Sequence, residues 1–422
     1  MNRRLSSTGV AAVVVALSIL PSISAAQPRA RSDAPRVWDD ASVVARASRY
    51  SPELSRARTA LYEAHALEMF SRLPRVGNPT LGVRAMVGLP DPAAATYALL
   101  VGMPIDLSGA RVHYGTEARW AVREAEARVD VALDEVSASA REAWADTAAA
   151  DAALTVASAR KQTAEALLVA TRARLDAQAA TALDVALAER ETAAAESAVV
   201  AARREREEAS ARLREHLGLD PSADVRVVSL LAPSMPVGLS RERAAELAMT
   251  RRRELVVHAA SAQRARASAT RLHHEATAPL FVAAEVEWQG YSQASVGVSA
   301  QWALPVAHTN QGERATADAR ARSEDEQRSI TERVVAQRAA AAWTELELRL
   351  SELAVIDQRT IPAAERVLAL TETLYRSGTV DVYRLLRARD ELFAEQSRRV
   401  DLLRAAWRAR IALDRAIGRS TP

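Results

Sequence analysis

Apolar residues recur every three to four positions along most of the chain, which is the pattern of amphipathic helices. Between Thr116 and Leu217 there is neither glycine nor proline, and the span is rich in Ala, Glu, Arg and Leu. A turn near Gln178 to Thr181 is expected to divide it into a helix of about 65–70 residues and a returning helix of about 37. At about 1.5 Å per residue, the longer helix would extend roughly 100 Å.

A further helix precedes Pro79. It is predicted as one helix of about 38 residues that begins near Asp39 and Asp40, both of which are good N-cap residues. Together the two shorter helices would match the longer one in length if they were stacked end to end.

The same arrangement occurs a second time at an offset of 200 or 201 residues. The second copy is predicted to contain helices over Ser240–Thr277, 312–376 and 380–417, and Pro362 is expected either to kink the longest of them or to remove a hydrogen bond from it. We interpret the chain as an internal duplication: a first repeat at 27–219 with a helical hairpin at 108–217, a linker at 220–238, and a second repeat at 239–418 with a hairpin at 312–417. The corresponding positions are Pro79 and Pro279, Gln178 and Gly378, and Gly218 and Gly418.

Alternation of apolar and polar residues with a period of two is clearest in four segments between the short and long helices, at 80–89, 96–105, 280–289 and 294–304. Strands of this length with one apolar face are typical of a membrane β-barrel, although a soluble hairpin packed on the helices would alternate in the same way. Charges on the polar face and the gathering of aromatic residues favour the membrane. The aromatic residues expected at the membrane interfaces are Tyr97, Trp288, Tyr291 and Trp302.

Four strands cannot close a barrel, and a sheet edge cannot be left unpaired in lipid. If the strands cross a membrane, several chains must therefore share one barrel, and three chains would contribute twelve strands. The sequence thus predicts a mainly α-helical protein with a small β part that is complete only in an oligomer.

The N-terminus has the pattern of a signal peptide, residues 1–26. Arg3 and Arg4 precede an apolar run, and Ala26 ends a small-residue motif after which cleavage is expected. The chain has no cysteine, so we expect no lipid anchor, no disulfide and no thiolate chemistry. The 56 basic and 53 acidic residues nearly balance and are interspersed, which indicates salt-bridged helix surfaces and argues against nucleic-acid binding.

No catalytic constellation is recognisable, and we expect that the chain is not an enzyme. The local cluster of His273, His274 and Glu275 is on a predicted helix, where adjacent side chains point about 100° apart and form a poor tetrahedral metal site. Serine and threonine residues are plentiful, but none has a base partner at a recognisable spacing. No metal and no cofactor is therefore predicted.

Several motifs together resemble the TolC family of outer-membrane efflux proteins. They are RLPRVGNPTLGV before the first strand, MPIDLSGAR after the second, LREHLGLD at the end of the first repeat, and the tip pattern Gly-x-x-Ser/Thr-x-x-Asp-Val-x-x-Ala. The resemblance runs from about Val37 to Gly418, and the tip pattern is its most specific part. The first copy keeps Thr181, Asp184, Val185 and Ala188 of this pattern, and the second keeps Gly378, Leu385 and Ala388.

The resemblance implies a homotrimer with a twelve-stranded β-barrel in the outer membrane of a Gram-negative bacterium and a helical tunnel in the periplasm. Each chain would belong to the channel of a tripartite efflux pump. A periplasmic adaptor and an inner-membrane transporter of the resistance-nodulation-division type would dock at the tip and dilate it. The residues expected at the docking tips are Arg174, Leu175, Thr181, Tyr375, Gly378 and Thr379.

Two arginines depart from the family pattern at the second tip. Family members often have aspartates six and nine residues after the glycine, where this chain has Arg384 and Arg387. One hypothesis is a basic constriction, selective against cations, in which Glu391 and Asp184 pair with the arginines and Asp381 belongs to the same gate. The other hypothesis is that both arginines point into the seam of the coiled coil and pair with neighbouring helices.

Other functions are open alternatives from the sequence. Some members of the family serve type I secretion in place of efflux. A periplasmic adaptor also has a long helical hairpin, but it has only one, together with several small β domains for which this chain has no room. A coiled-coil scaffold would explain the helices but neither the export signal nor the alternating strands.

Overall fold

The computed structural model describes residues 37–71, 77–86, 95–289, 293–304 and 306–419. The predicted long helix is confirmed as α3, Ala110–Asp176, which has 67 residues and returns as α4, Ala182–Leu217. No proline interrupts α3, so its backbone hydrogen bonds continue without a break. The predicted signal peptide, 1–26, lies outside the described residues.

The other elements of the described part alternate between short strands and helices. A two-residue strand, β1 (Val37–Trp38), pairs in parallel with β4 (Arg226–Val227). The remaining helices are α1, Asp40–Tyr50; α2, Pro52–Ser71; α5, Arg241–Arg251; α6, Arg253–Glu275; α7, Gln311–Val355; α8, Ile361–Arg376; and α9, Val382–Ala416.

The prediction of a single short helix in each copy was wrong, because each is broken once. Asp39 caps α1 as predicted, but the helix ends at Ser51, where the following Pro52 disfavours helical backbone. In the second copy the break is at Arg252, which has no proline or glycine beside it. No local residue type marks this break. A tertiary contact is present there instead, in which the Arg252 guanidinium donates to the carbonyl oxygen of Arg415, 2.5 Å away.

The ends of the shorter helices meet in both copies, as end-to-end stacking requires. The carbonyl oxygen of Leu217, at the end of α4, accepts a hydrogen bond from Arg46 Nε of α1 at 3.1 Å. Gly418, just after α9, lies so close to α5 that an added Cβ would be 3.0 Å from the carbonyl oxygen of Arg251. Gly218 and Gly418 both have positive φ, and their lack of a Cβ leaves room for the neighbouring helices to approach.

The second long helix differs from α3 by a π turn at Ile356–Thr360, between α7 and α8. The N–H of Ile361 donates to the carbonyl oxygen of Ile356, five residues earlier, and Pro362 follows immediately. Proline has no N–H to donate, so the regular pattern of helical hydrogen bonds cannot continue through Pro362, and the π turn lies just before it. The predicted disturbance at Pro362 is therefore present as a π turn.

A four-stranded antiparallel sheet lies between the short and long helices in the order β2–β3–β5–β6. Its strands are β2, Thr80–Met86; β3, Thr96–Ile105; β5, Leu280–Gln289; and β6, Gln293–Gln301. The predictions for β3 and β5 are confirmed, whereas β6 ends three residues earlier than expected. It ends at Gln301 because its partner there is Phe281, next to the start of β5.

Within the described residues, no helix is long and apolar enough to cross a membrane.

A tryptophan-rich core lies where β1, α1, α3 and the ends of α4 and α9 meet. Trp144 donates its indole N–H to the carbonyl oxygen of Trp38 at 3.1 Å, and its ring packs edge-on against Trp407. Leu213 and Leu217 are fully buried in the same cluster. This core joins elements of both halves of the chain and so fixes the two helical hairpins to each other.

Candidate membrane face and channel tip

The strand register sorts the sheet into two chemically different faces. Side chains that are opposite one another on neighbouring strands lie on the same face, so the pairing of Tyr97 with Trp288 and of Leu99 with Val286 defines one face. Every member of this apolar sheet face is hydrophobic. The members are Leu81, Val83 and Ala85; Tyr97, Leu99, Val101, Met103 and Ile105; Leu280, Val282, Ala284, Val286 and Trp288; and Ala294, Val296, Val298 and Ala300.

No described part of the chain covers much of this face. Val296 and Val298 are each 80% exposed, and Val83 is 77% exposed. The two outer strands, β2 and β6, are each paired on one side only. A hydrophobic face of this size with unpaired edges is unsuited to water.

The opposite face is mixed and carries the charges. Glu285 and Glu287 of β5 lie there together with Arg84 of β2 and several serine and glutamine residues. Ala98 and Ala283 are buried at its centre. Polar side chains on this face and hydrophobic ones on the other are the pattern of a strand whose polar side lines an aqueous space.

Three of the four predicted interface aromatics can be placed. Tyr97 and Trp288 are paired neighbours at the end of the sheet farther from the helices. Trp302 lies at the helical end, where its indole N–H donates to the carbonyl oxygen of Ala278 at 3.1 Å. Tyr291 lies outside the described residues. Aromatic residues therefore flank the apolar sheet face at both of its ends.

At the far end of the helices, the two hairpins have tips of the same geometry. Gln178 has a φ of 59° and Gly378 a φ of 74°, so both are left-handed. The N–H groups of Gln178 and Ala179 donate to Leu175 and Arg174 carbonyls, at 2.9 and 2.7 Å. Those of Gly378 and Thr379 donate to Tyr375 and Leu374 carbonyls, at 3.1 and 2.9 Å. Both tips are thus Schellman motifs, which end a helix and reverse the chain.

Two predicted gate carboxylates act as helix caps. Asp184 Oδ2 accepts hydrogen bonds from the Thr181 N–H at 2.8 Å and from its hydroxyl at 2.9 Å. Asp381 Oδ1 accepts from the backbone N–H of Arg384 at 3.0 Å. Since these oxygens start α4 and α9, the structure gives Asp184 a capping role and no pairing with the gate arginines.

The two unusual arginines lie on the exposed side of α9. Arg387 Nε donates to Glu391 Oε1 at 3.1 Å, which is the pairing expected from their spacing. Arg384 is also exposed, and in the described part of the chain no carboxylate lies within ion-pair distance of its guanidinium. The inner side of the same helix is filled by Val382, Leu385 and Leu386, which pack against other hydrophobic residues of the tips.

Arg174 connects the first tip with the second. One of its guanidinium nitrogens donates to the carbonyl oxygen of Tyr375 and another to that of Ala179, each at 3.3 Å. The guanidinium also lies over the Tyr375 ring, 4.5 Å from its centre. Leu175 is half-buried beside it and Thr379 is exposed. The predicted docking residues are therefore together at one end of the helices.

Sequence reasoning missed a series of ion pairs that hold α9 against the first hairpin. Arg160 of α3 pairs with Glu191 of α4 and Asp390 of α9, both at 2.8 Å. Further towards the sheet, Arg404 of α9 pairs with Glu205 at 2.6 Å. The sequence shows abundant charges on α3, α4 and α9, but only the packing of the hairpins reveals which charged side chains pair.

The histidines do not form a metal site in the described residues. His274 stacks on His113 of α3 with ring centres 4.1 Å apart, and its Nδ1 is 3.1 Å from the carbonyl oxygen of Ser108. Burial, and then the nearby His274, lower the pKa of His113 below its ordinary value. Stacked rings direct their nitrogens side by side, so this pair is unsuited to chelating one ion.

The fold is shared with several solved outer-membrane channels. The Vibrio cholerae outer membrane protein VceC is 18% identical, with a TM-score of 0.72 over 89% of this chain and 95% of that one. The Campylobacter jejuni CmeC channel is 12% identical, with a TM-score of 0.74 over 90% and 85% of the two chains. The open state of the Neisseria gonorrhoeae MtrE channel is 16% identical, with a TM-score of 0.72 over 89% and 88%. No curated protein sequence matches significantly.

A family model of the outer membrane efflux proteins matches residues 48–219 and 256–419. These two segments make up most of the chain, which therefore belongs to the outer membrane efflux protein family. Its function is accordingly efflux through a channel of the outer membrane.

Proposed function

We propose that three copies of this chain form one channel, in which three four-stranded sheets close a twelve-stranded barrel in the outer membrane. The observation that carries the proposal is the apolar sheet face, which is wholly hydrophobic, largely exposed and bounded by two unpaired edge strands. In lipid an unpaired edge is costly, and pairing β6 of one copy with β2 of the next removes every such edge.

The copy number and membrane insertion can be tested with the purified full-length protein. Native mass spectrometry of detergent-solubilised protein is expected to give three copies, and addition to a planar bilayer is expected to give discrete conductance steps. A monomer that gives no conductance would refute the proposal.

A pair of arginine substitutions separates the two sheet faces. Val296→Arg places a charge on the apolar face and is expected to abolish outer-membrane assembly, since arginine at mid-membrane costs about 2–4 kcal/mol. The matched control, Ser295→Arg, is next to it on the opposite face and is expected to assemble normally. Equal assembly of the two variants would contradict the assigned membrane face.

Two features support an internal duplication. The family model matches two separate segments of the chain. Left-handed residues end four helices, at 178, 218, 378 and 418, so the positions recur with an offset of 200 residues. The breaks at Ser51 and Arg252 recur with an offset of 201 residues.

At the tip, we favour a basic constriction over arginines buried in the coiled-coil seam. The side of α9 that packs within the chain is occupied by Val382, Leu385 and Leu386, whereas Arg384 and Arg387 are exposed. Glu391 offsets the charge of Arg387, so Arg384, Arg387 and Glu391 leave a net charge of +1 per chain (+2 − 1). Three copies around a narrow opening would repel cations and attract anionic solutes.

Ion selectivity in a bilayer with a salt gradient tests this gate. Arg384→Asp changes the net charge of this group from +1 to −1 and is expected to shift the reversal potential towards cation selectivity. Arg172→Asp makes the same charge change on α3, where Arg172 is exposed and pairs with Glu189 at 2.7 Å, and is expected to have little effect. Unchanged selectivity in Arg384→Asp would favour the seam hypothesis.

The contacts of Arg174 support a tip that opens when other proteins dock. Its hydrogen bonds and ring contact join the two hairpins through one side chain, near the exposed turns at Gln178 and Gly378. We propose that a periplasmic adaptor binds these turns and breaks the Arg174–Tyr375 contact, which connects the channel with an inner-membrane transporter of the resistance-nodulation-division type. Site-specific cross-linking at Thr379, with and without co-expressed adaptor, tests the contact.

A further inference from the structure

We propose that the lipid-facing surface continues past the paired strands onto a collar of Leu107, Leu304 and Val306, which lies among the acyl chains of the periplasmic leaflet. The proposal rests on the membrane placement of the sheet under the proposed function and adds a second lipid contact. This contact lies on the two segments that connect strands to helices.

The collar continues the alternation of the apolar sheet face. On β3 that face consists of the odd-numbered residues up to Ile105, and Leu107 is the next position in the series. On β6 it consists of the even-numbered residues up to Ala300, followed by Trp302 and then by Leu304 and Val306. Both connections thus extend the same hydrophobic series beyond the last strand pair.

The collar residues are open to the surroundings. Leu107 is 64% exposed, Leu304 63% and Val306 87%. Removing hydrophobic side chains of this size from water is favourable, so leaving all three exposed to water would be costly. Their continuity with the apolar sheet face identifies lipid as the occupant that removes them from water.

The described part of the sheet is also too short by itself for the apolar band of a membrane barrel. From Tyr97 to Ile105 there are eight residue steps, or about 26 Å along the strand. A strand tilt of about 40° reduces this to about 20 Å across the membrane, against about 25 Å for the usual band. Two further residue steps at the helical end, to Leu107, supply about 5 Å and close the difference.

Two polar side chains beside the collar are hydrogen-bonded within the chain, which lowers their cost in a low-dielectric setting. The indole N–H of Trp302 donates to the carbonyl oxygen of Ala278 and not outwards to a lipid headgroup. The Asp106 carboxylate accepts hydrogen bonds from the N–H of Ser108 at 2.9 Å and from its hydroxyl at 2.5 Å. Trp302 can therefore lie inside the hydrocarbon, with the interface displaced towards Val306.

The absence of cysteine from the chain makes the test direct. Single-cysteine variants at Leu107, Leu304 and Val306 are spin-labelled in the full-length protein and reconstituted in phospholipid bilayers. Collision with molecular oxygen, which concentrates in hydrocarbon, is compared with collision with a water-soluble nickel chelate. Val298→Cys on the apolar sheet face is the lipid reference, and Val237→Cys, at a fully exposed position of the linker, is the water reference.

The expected result is an oxygen-to-nickel ratio at the collar close to that of Val298→Cys. It is also expected to be at least about tenfold above that of Val237→Cys, since excluding a polar chelate from hydrocarbon costs more than 1.4 kcal/mol. Free access of nickel at all three positions would overturn the collar. Protection from both reagents would also overturn it, because a second copy would then cover these residues. If Val298→Cys were itself accessible to nickel, the proposed membrane placement would fail, and the collar with it.

Discussion

A buried ion-pair cluster at the junction of α1, α3 and α9 gives a quantitative test of how the two halves of the chain are joined. Arg141 is 4% exposed and Asp414 is 2% exposed. Arg141 Nη1 donates to Asp414 at 3.1 Å, while its Nε and Nη2 bind the Asp40 carboxylate at 2.6 and 3.0 Å. Burial opposes the charge on Arg141, but the hydrogen bonds of Asp40 and Asp414 outweigh it and raise the pKa of the guanidinium.

The perturbation is Arg141→Met, which removes the central cation and retains most of its apolar volume. Asp414 would remain buried, with Arg410 at 3.1 Å as its remaining ionic partner. Removing one member of a buried pair costs about 3–5 kcal/mol when the other charge is left uncompensated, so the retained contact with Arg410 places the expected loss near the lower end of this range. Adding Asp414→Leu removes that charge and is expected to restore about 2 kcal/mol, since apolar replacement of a whole buried pair is often close to neutral.

The assay is thermal unfolding of the full-length protein in detergent, followed by circular dichroism. Arg408→Met is the matched control, because Arg408 is on the same helix and pairs with Asp146 at 2.8 Å but is exposed. Such a pair is worth about 0.2–1 kcal/mol. The expected order of unfolding midpoints is wild type, Arg408→Met, the Arg141→Met/Asp414→Leu double variant, and Arg141→Met lowest. The reasoning would be refuted if the double variant unfolded below Arg141→Met.

Three further predictions address the tips and the histidine stack. Gln178→Gly is expected to raise the unfolding midpoint by removing about 1 kcal/mol of left-handed strain, whereas Gly378→Ala is expected to lower it in the same scan. Arg174→Met is expected to raise the conductance of the undocked channel in single-channel recordings, because it removes the contact between the hairpins. Burial and the neighbouring imidazole lower the pKa of His113, so the unfolded chain takes up a proton at a higher pH than the folded chain does. The free energy of unfolding is therefore expected to fall below pH 6.5, the ordinary pKa of histidine. Thermal scans from pH 7.5 to 5 are expected to show a smaller decline in His113→Gln but not in the exposed control His308→Gln.

The sequence was most informative where local rules decide the structure. The strands β3 and β5 were predicted to the residue, because both alternate with a period of two and β5 is bounded in the sequence by Pro279 and Gly290. The length of α3 followed from the absence of proline. By contrast, the break at Arg252 depends on a carbonyl of α9 more than 160 residues away, and no local pattern encodes such a contact.

The two tips show a different limit of prediction from sequence. The turn itself was predictable from Gly378, and its counterpart at Gln178 was found only by aligning the two copies, since glutamine rarely has positive φ. Asp184 was assigned to the gate from the family pattern, although the sequence Thr181-Ala-Leu-Asp184 carries the signature of a helix cap. The local signature agrees with the structure, in which Asp184 accepts hydrogen bonds from the N–H and the hydroxyl of Thr181.

The two hairpins differ in a way that bears on how a tip can open. In the first hairpin α3 has no irregular turn, and α9 is tied to it by ion pairs such as Arg160–Asp390 and Arg408–Asp146. In the second hairpin the π turn at Ile356–Thr360 precedes α8, which has no buried residue in the described structure. Bending costs least where hydrogen bonds are already irregular and few apolar contacts must be broken. Movement of α8 about this turn would displace Tyr375 from Arg174 while the first hairpin stayed in place, so we expect the second hairpin to move when the proposed gate opens.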